Sequence, residues 1–386
     1  MVIVVAPGAF KGALAPAAVA RAIAAGVRLG APDARVLALP VADGGEGTAD
    51  ALIAAAQGRR RAVAVRDPLG RPVDATLGEL PNRVAVVELA QASGYERLSA
   101  VERDPEATGT HGTGDLLRAA LDLGATTILV GLGGSATNDG GLGLAVALGA
   151  RALDAAGREL AGIGADLARV ARLDLTGLDP RLRGVTIRVA CDVATRFHGP
   201  DGAARTFAPQ KGADPAAVER LDAGLRAFAA VLAQATGCDV QALPGSGAAG
   251  GVGGLLAALV GAELVPGADL VLDALELPRR IAAAELCITG EGALDATTLH
   301  GKAPAAVARA AAAAGVPCVA LCGALHLGPR ALADAGFTAA FTIATHPRPL
   351  PEALRDTERD LARTAVAVAR LWRARTGHAG HAAGRV

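Results

Sequence analysis

The sequence is short of several things, and each shortage narrows what it can do. It has no net charge, because 38 basic residues balance 38 acidic ones. No block of like charge stands out, which argues against nucleic acid or an anionic membrane as the main partner. No apolar run is long enough to span a bilayer, and the run 2–6 is too short and lacks the basic flank of a secretory signal. Alanine-rich stretches such as 303–314 are interrupted by Arg and suit helices of a soluble protein. Cysteine is sparse, with five residues scattered at 191, 238, 287, 318 and 322. Only Cys318 and Cys322 are close, in an apolar run that reads as a buried strand. That pattern excludes a disulfide framework or zinc site and points to reduced thiols in the cytoplasm.

Lysine is the most informative scarcity. Only Lys11, Lys211 and Lys302 occur among the 38 basic residues, and each adjoins a glycine. Where a generic positive charge suffices, this chain uses Arg. A compact ammonium serves as a point charge against phosphate or carboxylate where the planar Arg fork does not fit. Asn and Ser are nearly as rare, and Asn138, Ser135 and Ser246 all fall in glycine-rich loops.

What is present is an alternation of β-branched runs with alanine-rich helical stretches, the pattern of an α/β fold with a largely parallel sheet. Strands are expected at 2–6 and 35–39 with helices at 17–29 and 47–56. From 61 to 89 successive strands follow without a helix, with turn signals at Asp67-Pro68 and Pro81-Asn82, so the chain departs into a mixed-sheet domain. Simple alternation returns after the glycine-rich stretch 245–254. At 386 residues two domains are the expectation. The fold predicted is a doubly wound, Rossmann-like domain from 1–66 and 246–386, with a second α/β domain, 67–245, inserted in it. The active site is expected in the cleft between them, and 376–386 as a disordered tail.

Five segments can carry chemistry. After a strand at 126–130 comes a loop containing Gly133, Gly134, Ser135, Asn138 and Asp139, then a helix. Strand, glycine loop and helix N-terminus are the geometry that holds a phosphate. A structural tight turn is the plain alternative. The same loop fits the loose dinucleotide fingerprint over 131–136, although Asp154, near the distance of a ribose-binding acid, sits in a turn. A second cluster with Gly250 and Gly251 serves phosphate contact or close helix packing equally well. Asp43 and Glu46 flank a glycine turn at a strand end, where they could hold Mg²⁺ or cap a helix. Glu291, Asp295 and Lys302 gather after the strand at 286–289, and Asp192 ends another strand, placed to bind metal, accept a proton or cap a helix.

In order, Phe10-Lys11-Gly12, the 42–48 loop, Gly112-Thr113-Gly114, the 131–141 loop, Cys191-Asp192-Val193, Pro209-Gln210-Lys211-Gly212, 247–254 and Thr289-Gly290-Glu291-Gly292 with Gly301-Lys302 resemble the bacterial-type glycerate kinase family. The resemblance implies transfer of the ATP γ-phosphoryl to D-glycerate with Mg²⁺, giving 2- or 3-phosphoglycerate. Lys11, Asp192, Lys302 and Asp295 are then the catalytic candidates. Gly133, Gly134, Ser135, Asn138, Asp139, Lys211, Gly250, Gly251 and Glu291 are the substrate and phosphate ligands, with Asp43 and Glu46 for the metal. Glycerate's carboxylate is assigned to Lys11 or an unidentified Arg. The chain departs from the family at Gly8 and Ala9, at Ala13 and Ala15, over 194–198 and at Ala293, which touches the polar contacts of the first loop. The partners expected are small molecules, with room for a homodimer. Two rivals are an NAD(P)-dependent oxidoreductase using 131–136, and a binding protein of this fold that has lost catalysis.

Overall fold

The computed structural model describes the backbone of residues 1–42, 47–299 and 301–382, with side chains as far as Arg375. The expected metal ligands Asp43 and Glu46 lie outside the described residues.

In chain order the elements begin with β1 (Val2–Val5), α1 (Pro16–Gly30) and β2 (Arg35–Ala38). Then come α2 (Thr48–Ala56), β3 (Arg59–Arg66), β4 (Pro72–Leu80), β5 (Val84–Glu88), α3 (Ala90–Ser93), α4 (His111–Asp122), β6 (Thr127–Gly131) and α5 (Leu142–Ala147). A hairpin of β7 (Arg151–Leu153) and β8 (Arg172–Asp174) precedes β9 (Thr186–Ala190), α6 (Ala203–Phe207), α7 (Pro215–Thr236), α8 (Ala248–Val260), β10 (Glu263–Val265) and α9 (Gly267–Ala274). The chain closes with α10 (Leu277–Ala282), β11 (Leu286–Leu294), α11 (Ala303–Ala313), β12 (Cys318–Leu325), α12 (Pro329–Asp334), β13 (Ala339–Thr342), α13 (Leu350–Arg355) and α14 (Thr357–Ala382). Helix α14 thus continues into the segment expected as a tail, and 383–386 lie outside the described residues.

The chain divides into two compact units, Met1–Asp43 with Val271–Val386, and Gly44–Leu270. Unit 1 is the doubly wound half. Its five strands are all parallel, in the order β13-β12-β11-β1-β2. α1 and α14 seal one face, where Ile23, Val27, Leu361 and Ala365 join Ile3, Ile288 and Leu321 in one core. α11 packs on β11 and β12 without entering that core, and so covers the other face. The central strands β1, β11 and β12 are largely buried and read as apolar runs, which is why they are legible in the sequence.

Unit 2 holds the mixed sheet β10-β9-β6-β5-β4-β3, in which β4 pairs antiparallel with β3 and β5 and the remaining strands run parallel. Its boundaries are wider than the expected 67–245. β3 is paired with β4 along its whole length, from Arg59 opposite Glu79 to Arg66 opposite Pro72. β10 pairs with β9, and Val252, Leu255 and Leu256 of α8 lie in the same core as β6 and α7. Strand pairing and apolar contact, rather than the turn signals, therefore set the division.

Candidate active site

Each unit has a cavity with lysine on its wall, and the three lysines of the chain all stand on these two walls.

In unit 2, the carboxyl ends of β6 and β9 feed a cavity of about 240 Å³ lined by Gly133, Gly134, Ser135, Asp192 and Lys211, with Tyr95 and Gln210. Lys211 is buried, at 2% exposure. Its ammonium donates to Ser135 Oγ at 2.9 Å and to the Thr137 carbonyl at 2.6 Å. Burial pushes its pKa down to about 7, and the charge of Asp139 opposes part of that fall. Gly212, next in sequence, takes a positive φ and ends the turn that carries Lys211. Asp192 is exposed on the cavity wall, and its Oδ1 accepts the Gly267 N–H at 2.9 Å at the start of α9. The capping role considered for Asp192 is therefore real.

The glycine loop does not offer the helix-terminus phosphate site that its sequence suggests. Asp139 accepts from Thr110 N, Thr110 Oγ1, Gly141 N and Gly143 N, at 2.7–3.1 Å. The first amides of α5 are thus already satisfied by a buried carboxylate, and a second anion there would meet like charge. Asp139 therefore acts as a scaffold for the loop. Gly250 and Gly251 have a structural purpose too. A Cβ on Gly250 would stand 2.3 Å from the Thr137 carbonyl oxygen, and one on Gly251 2.7 Å from the Gly140 Cα. These two glycines let the start of α8 press onto the 137–140 turn, where Gly140 N donates to Gly250 O at 2.9 Å. Asn138 is fully buried, and neither amide atom has a hydrogen-bond partner among the described residues; the same holds for Thr137 Oγ1 and Ser246 Oγ. Buried polar atoms left in this state cost free energy, and they mark the paired loops as shaped for more than packing.

In unit 1, a cavity of about 490 Å³ is lined by Lys11, Glu291, Asp295, Lys302 and Arg348 together with apolar side chains. Lys302 Nζ lies 3.6 Å from Glu291 Oε2 and 4.0 Å from Asp295 Oδ1. Thr298 Oγ1 donates to Glu291 Oε1 at 2.6 Å. Burial pushes the Glu291 carboxyl up, while the Thr298 bond and the Lys302 charge pull it back. The Thr297 hydroxyl holds Asp295 below the usual carboxylate range, with Lys302 adding to the effect. Lys11 sits exposed in the turn after β1. The structure thus brings Lys11, Glu291, Asp295 and Lys302 to one place, and Gly133, Gly134, Ser135, Asp192 and Lys211 to another. His300, beside Lys302 in sequence, lies outside the described residues.

Sequence reasoning passed over Tyr95 and Arg348. Tyr95 is the single tyrosine of the chain, and its rarity was a usable signal. Its hydroxyl is buried without a partner among the described residues. Arg348 is one Arg among many, and nothing in its local sequence singles it out.

The sequence profile of the glycerate kinase family matches residues 3–373. The chain belongs to the glycerate kinase family. It is similar to Glycerate 2-kinase of Escherichia coli (strain K12), 45% identical over 356 residues that span 92% of this chain and 93% of that one. Glycerate kinase of Halalkalibacterium halodurans is 42% identical over 373 residues, 96% of this chain and 98% of the other. A glycerate kinase 2 crystal structure from Salmonella typhimurium LT2 superposes with a TM-score of 0.88 at 43% identity, covering 98% of this chain and 99% of that one. Family membership makes the chain an enzyme of a kinase family and sets aside the oxidoreductase reading of 131–136. Asp154, the acid that reading needed, is spent in a turn, accepting from the Ala156 and Arg158 amides at 2.9 Å. No described helix is long and apolar enough to cross a membrane.

Proposed function

We propose that this enzyme transfers the γ-phosphoryl group of ATP to the 2-hydroxyl of D-glycerate, giving 2-phosphoglycerate and ADP. The observation that carries the reading is the placement of all three lysines on cavity walls in a chain that otherwise uses Arg for positive charge. The name of the Escherichia coli relative, Glycerate 2-kinase, favours the 2-hydroxyl as acceptor.

Phosphoryl transfer asks a protein mainly for positioning and charge, with no covalent nucleophile of its own. The unit 2 cavity suits a small carboxylate. Lys211 and Ser135 would take the glycerate carboxylate, beside the Gly133-Gly134 backbone. This moves the carboxylate from Lys11 or an unidentified Arg, where the sequence alone pointed, to the buried lysine. Asp192 would accept the proton released as the hydroxyl oxygen attacks phosphorus. Lys11 and Lys302 would neutralise the charge on the phosphoryl group in transfer, with Glu291 and Asp295 holding Lys302 in place.

Mg²⁺ prefers one or two carboxylates completed by phosphate oxygens and water. Asp43 and Glu46 remain the residues proposed for it, and the Glu291–Asp295 pair fits the same donor chemistry. When bound, the ion would draw charge off the nucleotide phosphates.

The position of the phosphate is read by NMR of the product formed from D-glycerate and MgATP. Phosphorus coupled to the C2 proton is expected; coupling to the C3 protons would contradict the proposed acceptor.

A further inference from the structure

The cavity of unit 1 is larger and more apolar than a three-carbon hydroxy acid requires. It lies outside the carboxyl ends of β13, β12, β11 and β1. Chain order reverses between β1 and β11: β2 extends the sheet on one side, β12 and β13 on the other. In open α/β sheets such a reversal opens the crevice in which ligands bind. At about 490 Å³ the cavity falls within the ~300–1,000 Å³ usual for sites that enclose medium-sized organic ligands. The unit 2 cavity beside Lys211, at about 240 Å³, is smaller, and the unit 2 cavity of about 600 Å³ at Gln91, Arg97 and Arg103 has neither a lysine nor an apolar wall.

Chemistry separates the two possible occupants. Phe10, Ala324, Ile343 and Leu354 give the unit 1 cavity an apolar wall. Glycerate bears oxygen on every carbon and has no apolar face to set against it. A purine has two, with acceptor nitrogens around its edge. Arg348 supplies a matching polar group. Its side chain is only 4% exposed, and its terminal nitrogens are held by Asp356 and Asp360. Its buried Nε has no hydrogen-bond partner among the described residues. A ring nitrogen or a ribose oxygen would satisfy that N–H, which is otherwise costly to leave unmade. Lys11 and Lys302, on the same cavity, provide the cations that a polyphosphate chain requires.

We infer that unit 1 is the nucleotide half of the enzyme: the purine nucleoside of the phosphoryl donor sits in this crevice against Ile343 and Leu354, with Arg348 as a specificity residue at its edge. The inference rests on the ATP reading above and adds which cavity takes the base.

The test uses the whole enzyme with 8-azido-ATP and light, followed by peptide mapping. Label is expected within 9–13 or 341–357, suppressed by ATP and not by D-glycerate. Label within 190–211 of an enzyme that turns over MgATP would overturn the assignment while leaving the kinase reading intact. An enzyme that neither turns over ATP nor takes label would overturn the ATP reading itself. As a second measurement, Ala324→Phe, checked for an unchanged melting midpoint, should raise the KM for ATP at least tenfold and that for D-glycerate less than twofold. The opposite split would place glycerate in this cavity and overturn the assignment. The photolabel on the unaltered chain decides the matter should that variant not fold.

Discussion

At the scale of single residues, Lys211 carries the sharpest prediction. Its pKa of about 7 stands against an ordinary value of 10.5 for the unfolded chain. Between those two values the unfolded chain holds a proton that the folded chain has released, so stability rises with pH across that window. Lys211→Met should flatten the rise, as urea titrations at pH 7 and 9 would show, and lower turnover by about a hundred- to thousand-fold. The sign for ligand binding is opposite. An anion in the cavity favours the ammonium, so the affinity for D-glycerate should weaken as pH climbs above 7 and stay level below it. A calorimetric titration over that range measures both the affinity and the proton taken up. Lys302 belongs to a different class: partly exposed and flanked by Glu291 and Asp295. Lys302→Met should cost a similar factor in turnover with little change in melting midpoint.

At the scale of elements, glycines decide how closely neighbours approach. A Cβ at Gly250 would press on the Thr137 carbonyl, and the residue's φ is +70°. Gly250→Ala should therefore lower stability by roughly 3 kcal/mol, from left-handed strain together with displaced backbone. Gly26 plays the same part in unit 1, where a Cβ would stand 2.1 Å from the Ala362 carbonyl oxygen of α14. Gly26→Val should separate α1 from α14 and destabilise unit 1 by about 3 kcal/mol or more, visible in its urea midpoint. Apart from β10, the strands of the two large sheets and the long helices α7 and α14 were legible in the sequence, because the central parallel strands are apolar runs and long helices keep their period. The β7–β8 hairpin and β10 were not, since three residues show no period. In the candidate site, the lysines stood out through rarity. The bonds Asp139 makes were not legible, because the sequence shows a carboxylate beside a glycine loop but not which amides it will turn to meet.

For the whole molecule, two units built on separate cores each bear a cavity with lysine on its wall. Unit 1 is assembled from both ends of the chain, so its parallel sheet depends on contacts of high sequence separation, such as Val4 beside Cys287. Family membership covers both units, since the match runs from residue 3 to 373. Of the positions expected to depart from the family, Ala9 and Ala293 line the unit 1 cavity with Lys11. The rival they raise is a protein of this fold that binds and no longer turns over. ADP release by the purified enzyme with MgATP, compared with D-glycerate, with L-glycerate and with no acceptor, separates the two most directly. Release that depends on D-glycerate is the result expected; release no greater than the acceptor-free background, from folded protein that still binds D-glycerate, would contradict the account.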